Sequence, residues 1–575
     1  MCWAGQRAGG KNLHEVVRLF LLVSVLAAGP ATGQDLLPRG LPEGRSEVVK
    51  FRRPATAKPP EGRVDSSAVL LKRLQRLEVV GSEAGSDPLE FGPVLLQGLT
   101  VENPQELARI LSSWTGRPLS EQGLDLLTNA ILGHYDHHGR PVNEVWVPPQ
   151  EGAGGVLRVE VIEGRIGKVG VSRLAHFNES LVRNGVHLQQ GALLTASAVQ
   201  RDLDWLSRNP FRRAGLFAAP GEGVSADLLV NFEERRPWRI YAGYDNAGSE
   251  AVGENRWFAG IDWGNAFGLD QVLAYQFTVG DSLHALHAHS LRWEIPIHSR
   301  HQFVGLSAAW ADVSAVEPNG GMPIAADGTS WQVSAMYGGL LPRLGEWKQE
   351  VRGGIEFKRA DNFVVFGETA IPGSVVDVVQ VRGEWQGAGA LLGGEAELKA
   401  VVVASPGDVT RRNGSPEFEA FRPGANPTYL YGRVDGAWSR RVMGNWDWEV
   451  RASAQLGTGA LLPTEQFALG GASTVRGYPE RDLLADSGYV VSTELRTPAL
   501  EVDWARLKNE VELRGLVFLD HGLGWREGDG ARTLTAAGIG ARLKLGESAS
   551  LRVDAGWGLE GGDGTQIHAG AVISY

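Results

Sequence analysis

From Pro237 to the C-terminus, apolar and polar residues alternate in segments of about ten, separated by turns rich in Gly, Asp and Asn. In Leu551-Arg552-Val553-Asp554-Ala555-Gly556-Trp557, strand geometry sets Leu551, Val553, Ala555 and Trp557 on one face and Arg552 and Asp554 on the other. Ala537 to Leu545, Val511 to Gly515 and Tyr489 to Arg496 repeat the rule. Charge and glycine collect on one face; Trp, Leu, Ile and Val collect on the other. A soluble sandwich or propeller would not sort its residues in this way, and no repeat of blade length is visible. The pattern predicts a membrane β-barrel, polar inside and apolar towards lipid. At about 20 residues per strand and turn, roughly 340 residues supply about sixteen antiparallel strands, an even number that leaves both barrel ends on one side. The last segment, His568 to Tyr575, alternates Ala569, Ala571, Ile573 and Tyr575 against polar or small neighbours. It is expected to close the barrel against the segment Trp238 to Tyr244.

Between Phe91 and Arg235 the period changes. Val94-Leu95-Leu96 predicts a strand, and Leu107, Ile110, Leu111 and Trp114 fall on one helical face. Ser120 is a suitable N-cap for a second helix carrying Leu124, Leu127, Ile131 and Tyr135 inward. Two strands follow, Glu144 to Val147 and Leu157 to Val161. The order strand, helix, helix, strand, strand then recurs. It runs from Ile166 through a helix at Glu179 to Asn184, a helix after Thr195 and a strand at Asp227 to Glu233. Two small α/β modules in series are expected, at 89–164 and 165–235, ahead of a barrel at 236–575.

The N-terminus carries scattered basic residues, the apolar run Leu19 to Ala28 and a small-residue stretch ending Ala31-Thr32-Gly33. This is the layout of a secretory signal peptide, 1–33. Residues 34–88 are rich in Pro, Gly and charge and read as a linker, with a short helix expected from Ser67 to Leu77. The leader removed, the formal charge falls from −11 to −13, and no basic block marks a nucleic-acid footprint. The single cysteine, Cys2, lies in the leader, which leaves the rest of the chain no thiol for a disulfide, metal or nucleophile. Beyond the leader, no apolar run is long enough for a helix to cross about 30 Å of hydrocarbon. Strands are then the remaining way to span a bilayer.

One segment breaks the turn rhythm. Phe467 to Asp486 is a long loop containing Val475-Arg476-Gly477-Tyr478, with a lone arginine between a β-branched residue and glycine. Further on, Phe518-Leu519-Asp520-His521-Gly522 places Phe518 and Asp520 on the lumen face by parity with Glu512 and Arg514. A lumen carboxylate wants a cation, and a guanidinium on a folded-back loop would supply a charge-assisted pair. Other candidate chemistry is weaker. Gly280-Asp281-Ser282-Leu283 matches the start of an esterase motif but has the composition of a hairpin turn. His134-Tyr135-Asp136-His137-His138 ends a helix, in a spacing that fits no standard zinc pattern. His284, His287 and His289 fall along one expected strand, His287 and His289 on one face. No Ser/His or carboxylate constellation assembles on the lumen face, so an enzyme is not expected, nor a metal or other cofactor.

Val475-Arg476-Gly477-Tyr478 together with Phe518, Asp520 and Gly522 resembles the paired motifs of the two-partner secretion transporters, the outer-membrane exporters of haemolysin and filamentous haemagglutinin. The two modules resemble that family's polypeptide-transport-associated (POTRA) domains. Leu203 to Phe211 is similar to the Asn-Pro-containing helix end of the second one, and Tyr244 to Gly248 is similar to the start of the family's barrel. The resemblance implies a sixteen-stranded outer-membrane pore with periplasmic POTRA modules that bind a secreted partner protein. Arg476 would fold into the lumen and pair with Asp520. Tyr575 would end the signal read by the barrel-assembly machinery, and lipid would be the barrel's other partner. The family often plugs its pore with an N-terminal helix, but Pro38, Pro42 and several glycines disfavour one here. The alternative within the same superfamily is an insertase that folds other barrels. Two modules and an otherwise unembellished barrel favour the transporter.

Overall fold

The computed structural model describes residues 68–81, 87–151, 153–248, 253–319, 322–366, 369–371, 374–502, 511–561 and 564–575. The expected signal peptide, most of the linker and any plug lie outside the described residues. Two compact units contain these residues, one ending at Arg235 and one beginning at Arg236.

The second unit is a closed barrel of sixteen antiparallel strands. In chain order these are β1 (Trp238–Asp245), β2 (Arg256–Ala266), β3 (Gln271–Val279), β4 (Leu286–Ile297), β5 (Gln302–Asn319) and β6 (Met322–Leu344). Next come β7 (Trp347–Phe366), β8 (Val375–Leu391), β9 (Gly394–Pro406), β10 (Thr428–Val442) and β11 (Trp446–Gly457). The last five are β12 (Ser487–Arg496), β13 (Val511–Trp525), β14 (Ala531–Leu545), β15 (Ala549–Gly558) and β16 (Thr565–Ser574). Each pairs with its sequence neighbour. Closure comes from β16 on β1, in register from Tyr241↔Ser574 to Asp245↔Gly570. A closed sheet leaves no backbone donor or acceptor row facing hydrocarbon, which is the condition for crossing a bilayer with strands.

Alternation along the strands decides which side chains meet lipid. On β15, Leu551, Val553 and Trp557 are exposed while Asp554 is buried in the lumen. On β16, Ile567, Ile573 and the terminal Tyr575 are outside, with His568 and Val572 inside. Aromatic side chains gather where the strands end. Trp238 packs on Tyr575 at 5.7 Å, Trp263 on Phe267 at 5.2 Å and Trp438 on Trp448 at 5.1 Å. Such belts suit the interface between hydrocarbon and headgroups.

The first unit holds two α/β sheets. In the first, strand order is Leu89–Phe91, Val94–Gln97, Arg76–Gly81, Val156–Glu163, Asn143–Trp146. Helices α1 (Pro104–Ser112) and α2 (Glu121–His137) cover it, burying Leu107, Leu111, Leu127, Ile131 and Tyr135 against Leu77, Val79 and Val159. Ser120 caps α2 by accepting the Gly123 N–H at 3.1 Å. The helix expected from Ser67 to Leu77 is absent over its described residues, 68–77: Val69–Leu71 is a short strand and Arg76–Gly81 is the central strand of this sheet. The expected linker therefore runs into the sheet. Leu77 and Val79 alternate as a half-buried strand requires, but the Pro- and Gly-rich composition around them masks so short a signal.

The second sheet has the order Arg165–Val171, Ser225–Glu234, Arg212–Pro220, with helices α3 (Glu179–Arg183) and α4 (Ala196–Leu206). Thr195 caps α4 through the Ala198 N–H at 3.2 Å. Asp202 on α4 accepts the backbone N–H groups of His187 (2.6 Å) and Leu188 (3.1 Å).

Candidate functional site

The connection from β11 to β12 folds back into the barrel. Its stem is a small hairpin, Phe467–Leu469 paired with Leu483–Ala485. At the turn, Gly470 and Gly471 have φ of 102° and 95°. A Cβ on Gly471 would lie 2.1 Å from the Glu480 carboxyl carbon, so only glycine allows that carboxylate to accept the Ala472 N–H at 2.7 Å. Val475 is fully buried in a cluster with Phe467, Leu469, Tyr478, Val490, Leu534 and Ala536. The apolar stem is thus a miniature core inside a polar lumen, and it aims the tip at β12 to β16.

Arg476 is the polar centre of that tip. Its Nε donates to Asp520 Oδ2 at 2.8 Å and its Nη2 to Asp520 Oδ1 at 2.7 Å, a bidentate pair; its backbone N–H adds a third bond to Oδ2 at 3.1 Å. Nη1 donates to Glu494 Oε1 at 2.5 Å and lies 3.8 Å from Asp554 Oδ1. Nη2 also reaches Ser492 Oγ at 3.1 Å, and that hydroxyl donates to Asp520 at 2.6 Å. Arg476 is 4% exposed and Asp520 0%. Three carboxylates around one guanidinium would leave excess negative charge in a dry place. Arg496 offsets it at Glu494 (2.6 Å) and Arg542 at Asp554 (2.8 and 3.0 Å). The result is a closed network of charge-assisted bonds, the kind in which low dielectric strengthens each contact and penalises any that is missing.

Phe518 lies beneath the guanidinium, its ring centroid 3.5 Å from the Arg476 Cζ. The wall has been cleared of side chains to admit the loop. A Cβ at Gly538 would meet the Phe518 ring at 2.1 Å, and one at Gly556 would meet the Arg476 carbonyl oxygen at 2.4 Å. That same carbonyl accepts the His568 Nε2–H from β16 at 2.9 Å. Gly477 brings the loop backbone against Gly558 N, where a Cβ would sit at 2.5 Å. Tyr478 donates to the Glu560 carbonyl at 2.8 Å and accepts the Glu560 N–H at 3.2 Å. Gly522 allows close approach of Leu469 and Val475. The structure therefore brings Val475, Arg476, Gly477, Tyr478, Phe518, Asp520 and Gly522 into one locus. Tyr575 is elsewhere: its backbone N–H and C=O exchange bonds with Ile240 at 2.9 and 3.1 Å, and its side chain is 79% exposed.

Sequence reasoning missed three groups of partners. Glu494, Asp554 and His568 complete the Arg476 locus; the alternation marks them as lumen residues but not as its neighbours. Two further ties hold the same loop. Asp486 is clasped by Arg422, whose Nη2 reaches Oδ2 at 2.8 Å, and by the N–H groups of Leu461 (2.9 Å) and Glu527 (2.8 Å). Glu465 accepts from Lys358 (2.7 Å) and the Tyr431 hydroxyl (2.9 Å). Arg422 follows helix α5 (Ser415–Phe421), whose Phe418 and Phe421 pack with Leu461, Leu462 and barrel residues Val378, Val403 and Tyr429. Nothing in the local pattern signals these pairings.

The remaining sequence candidates separate. Gly280 to Leu283 lies in the β3–β4 turn, where Asp281 accepts from Asn255 at 2.7 Å. His284 is in that turn rather than on the strand. His287 and His289 pack on Trp310 at 5.1 and 5.6 Å, and His289 Nδ1 bonds the Tyr275 hydroxyl at 2.7 Å. His134 and His138 are joined by Glu106 from α1.

The family model described as "Haemolysin secretion/activation protein ShlB/FhaC/HecB" matches residues 225–545, and that for the ShlB-type POTRA domain matches 93–164. The outer membrane transporter CdiB of Escherichia coli is 22% identical over 415 residues, 70% of this chain and 68% of that protein. The hemolysin transporter protein ShlB of Serratia marcescens is 28% identical over 173 residues, 30% of this chain and 29% of that one. The solved structure of CdiB from Escherichia coli superposes with a TM-score of 0.74 at 18% identity, covering all of both chains. That likeness concerns the fold.

Proposed function

The chain belongs to the haemolysin secretion/activation protein ShlB/FhaC/HecB family, and from that premise we propose that it recognises one exoprotein in the periplasm and passes it to the cell surface. It is an outer-membrane protein of the two-partner secretion transporters, with its POTRA modules in the periplasm. The family consists of protein transporters, and transport rather than catalysis is our reading of this member. Residues 1–33 are read as the export signal, 89–164 together with the strand Arg76–Gly81 and 165–235 as the two recognition modules, and 236–575 as the pore.

The observation that carries this reading is the loop latched inside the lumen. A pore for unfolded polypeptide must keep its wall in shape while a chain slides past, and must hold its internal segment without a permanent bond. Arg476 with Asp520, Glu494 and Asp554 supports that role: the bonds are directional and buried, yet made of side chains that can part. Partner capture is assigned to strand addition at the modules. The strand Arg212–Pro220 is an open edge of the second sheet and carries Phe217, 64% exposed. The secreted partner is read as haemolysin- or adhesin-like; of these, haemolysin is named for the relative from Serratia marcescens.

The test is deletion of the gene. One large exoprotein should then accumulate in the periplasm and vanish from the surface, while other outer-membrane proteins keep their levels. A broad loss of outer-membrane proteins would instead identify an insertase and refute the transport role.

A further inference from the structure

One side-chain cluster in the first unit has no part in the Arg476 locus. Glu106 on α1 and His134 and His138 at the end of α2 each offer one ligand atom, and these atoms lie within 4.8 Å of one another. His134 and His138 are one helical turn apart, on one face. His134 Nε2 donates to the Glu102 carbonyl at 2.9 Å, and His138 Nδ1 donates to the His134 carbonyl at 2.9 Å. A carbonyl only accepts, so both tautomers are set, and the lone pairs sit on His134 Nδ1 and His138 Nε2. That is the way metal-ligating histidines are commonly oriented, the far ring nitrogen held by a backbone oxygen. Glu106 Oε2 is held by Asn103 Nδ2 at 2.9 Å and stands 3.6 Å from His138 Nε2. Two ligands of a tetrahedral ion at about 2.05 Å are separated by about 3.3–3.4 Å, so the His138–Glu106 pair already stands near a ligand–ligand spacing and the separations to His134 lie within 4.8 Å.

We propose that Glu106, His134 and His138 bind a divalent cation of the zinc class at the C-terminal end of α2 in the first module. Two neutral imidazoles and a carboxylate suit Zn²⁺, Ni²⁺ or Co²⁺, whereas Mg²⁺ and Ca²⁺ want more oxygen ligands than this place supplies. The C-terminal end of a helix favours positive charge. His134 is buried, while the His138 and Glu106 side chains are 18% and 35% exposed, which leaves an approach for the ion and a fourth position for water or a donor from another protein. Location suggests the consequence. Gly139, the next residue after His138, accepts the Ala196 N–H of the second module at 2.8 Å. A bound ion would fasten α1 to α2 immediately before that junction and stiffen the pair of modules.

The test uses the full chain, purified in detergent without a histidine tag and stripped with chelator. Zn²⁺ titration by calorimetry, and Co²⁺ titration by its visible absorption, are compared for the wild type, His138→Gln, Glu106→Gln and the double variant His287→Gln/His289→Gln. Both substituted module positions are partly exposed, and circular dichroism checks that the fold persists. Expected is one equivalent of Zn²⁺ that weakens at least about tenfold in His138→Gln and in Glu106→Gln, and stays unchanged in the barrel double variant. Excess Mg²⁺ should not displace Co²⁺, and Zn²⁺ should slow amide exchange at Ala196 in the wild type and the barrel double variant but not, at the same Zn²⁺ concentration, in His138→Gln or Glu106→Gln. Equal affinity in all four proteins would overturn the site, as would no binding by the wild type. Displacement by Mg²⁺ would overturn the class of ion.

Discussion

Replacing Arg476 by alanine removes the cation but leaves Asp520, Glu494 and Asp554 in a lumen pocket built around it. Five side-chain and cation–π contacts vanish together, and Asp520, at 0% exposure, keeps only the Ser492 hydroxyl and the backbone N–H of residue 476. Breaking a buried pair by removing one partner costs about 3–5 kcal/mol, because the other charge is left without compensation. Applied to the docked loop, that lowers its docked-to-released ratio by roughly 140- to 4000-fold, at about 1.4 kcal/mol per factor of ten. The loop retains Arg422–Asp486, Lys358–Glu465 and its apolar stem, so the tip, rather than the whole segment, should come free. Val475→Cys is a direct reporter: Cys2 is the chain's only natural thiol, and Val475 is fully buried when the loop is docked. A membrane-impermeant maleimide applied to outer-membrane vesicles should label Val475→Cys slowly in the otherwise native chain. With Arg476→Ala added, labelling should be at least about a hundredfold faster, and partner secretion should fall strongly while heat-modifiable barrel remains in the membrane. Arg476→Lys keeps charge without the bidentate fork and should fall between the two. Unchanged labelling with unchanged secretion in Arg476→Ala would refute the latch.

Gly556→Ala places a Cβ against the Arg476 carbonyl, a backbone atom that cannot swing away; a cost of about 1–3 kcal/mol and reduced secretion are expected, whereas Gly383→Ala, with nothing near its Cβ, should secrete normally. Deleting Tyr575 removes both backbone bonds to Ile240 and the contact with Trp238, so the amount of folded barrel should drop in heat-modifiability gels, with secretion per inserted barrel unchanged. Burial pushes the Asp202 carboxyl up to about 6 from its ordinary 3.8. A carboxyl with a higher value folded than unfolded contributes stability below pH 3.8 and loses it as pH rises through 6. Protection of the His187 and Leu188 amides, taken as a ratio to Asp202→Asn, should therefore fall between pH 4 and 7, by up to about 3 kcal/mol in local opening; a flat ratio would exclude it.

The barrel was readable from the chain because a period of two is a local property. Whether Leu551 or Arg552 meets lipid depends only on parity within one strand, and the same parity placed Phe518 and Asp520 inside. The capped helices of the modules were equally local: Ser120 and Thr195 act within three residues of themselves. The central strand Arg76–Gly81 was not, since its short alternation is stabilised by parallel neighbours at Val94–Gln97 and Val156–Glu163 rather than by anything adjacent in sequence. The surroundings of Arg476 depend on distance in the same way. Its partners stand 18, 44 and 92 positions away at Glu494, Asp520 and His568, on strands whose mutual approach is set by barrel closure and by glycines that clear a path for the loop. A carboxylate's face follows from its own strand, but which cation it meets is decided only when the sheet curls shut and a loop from another hairpin is pressed into the lumen.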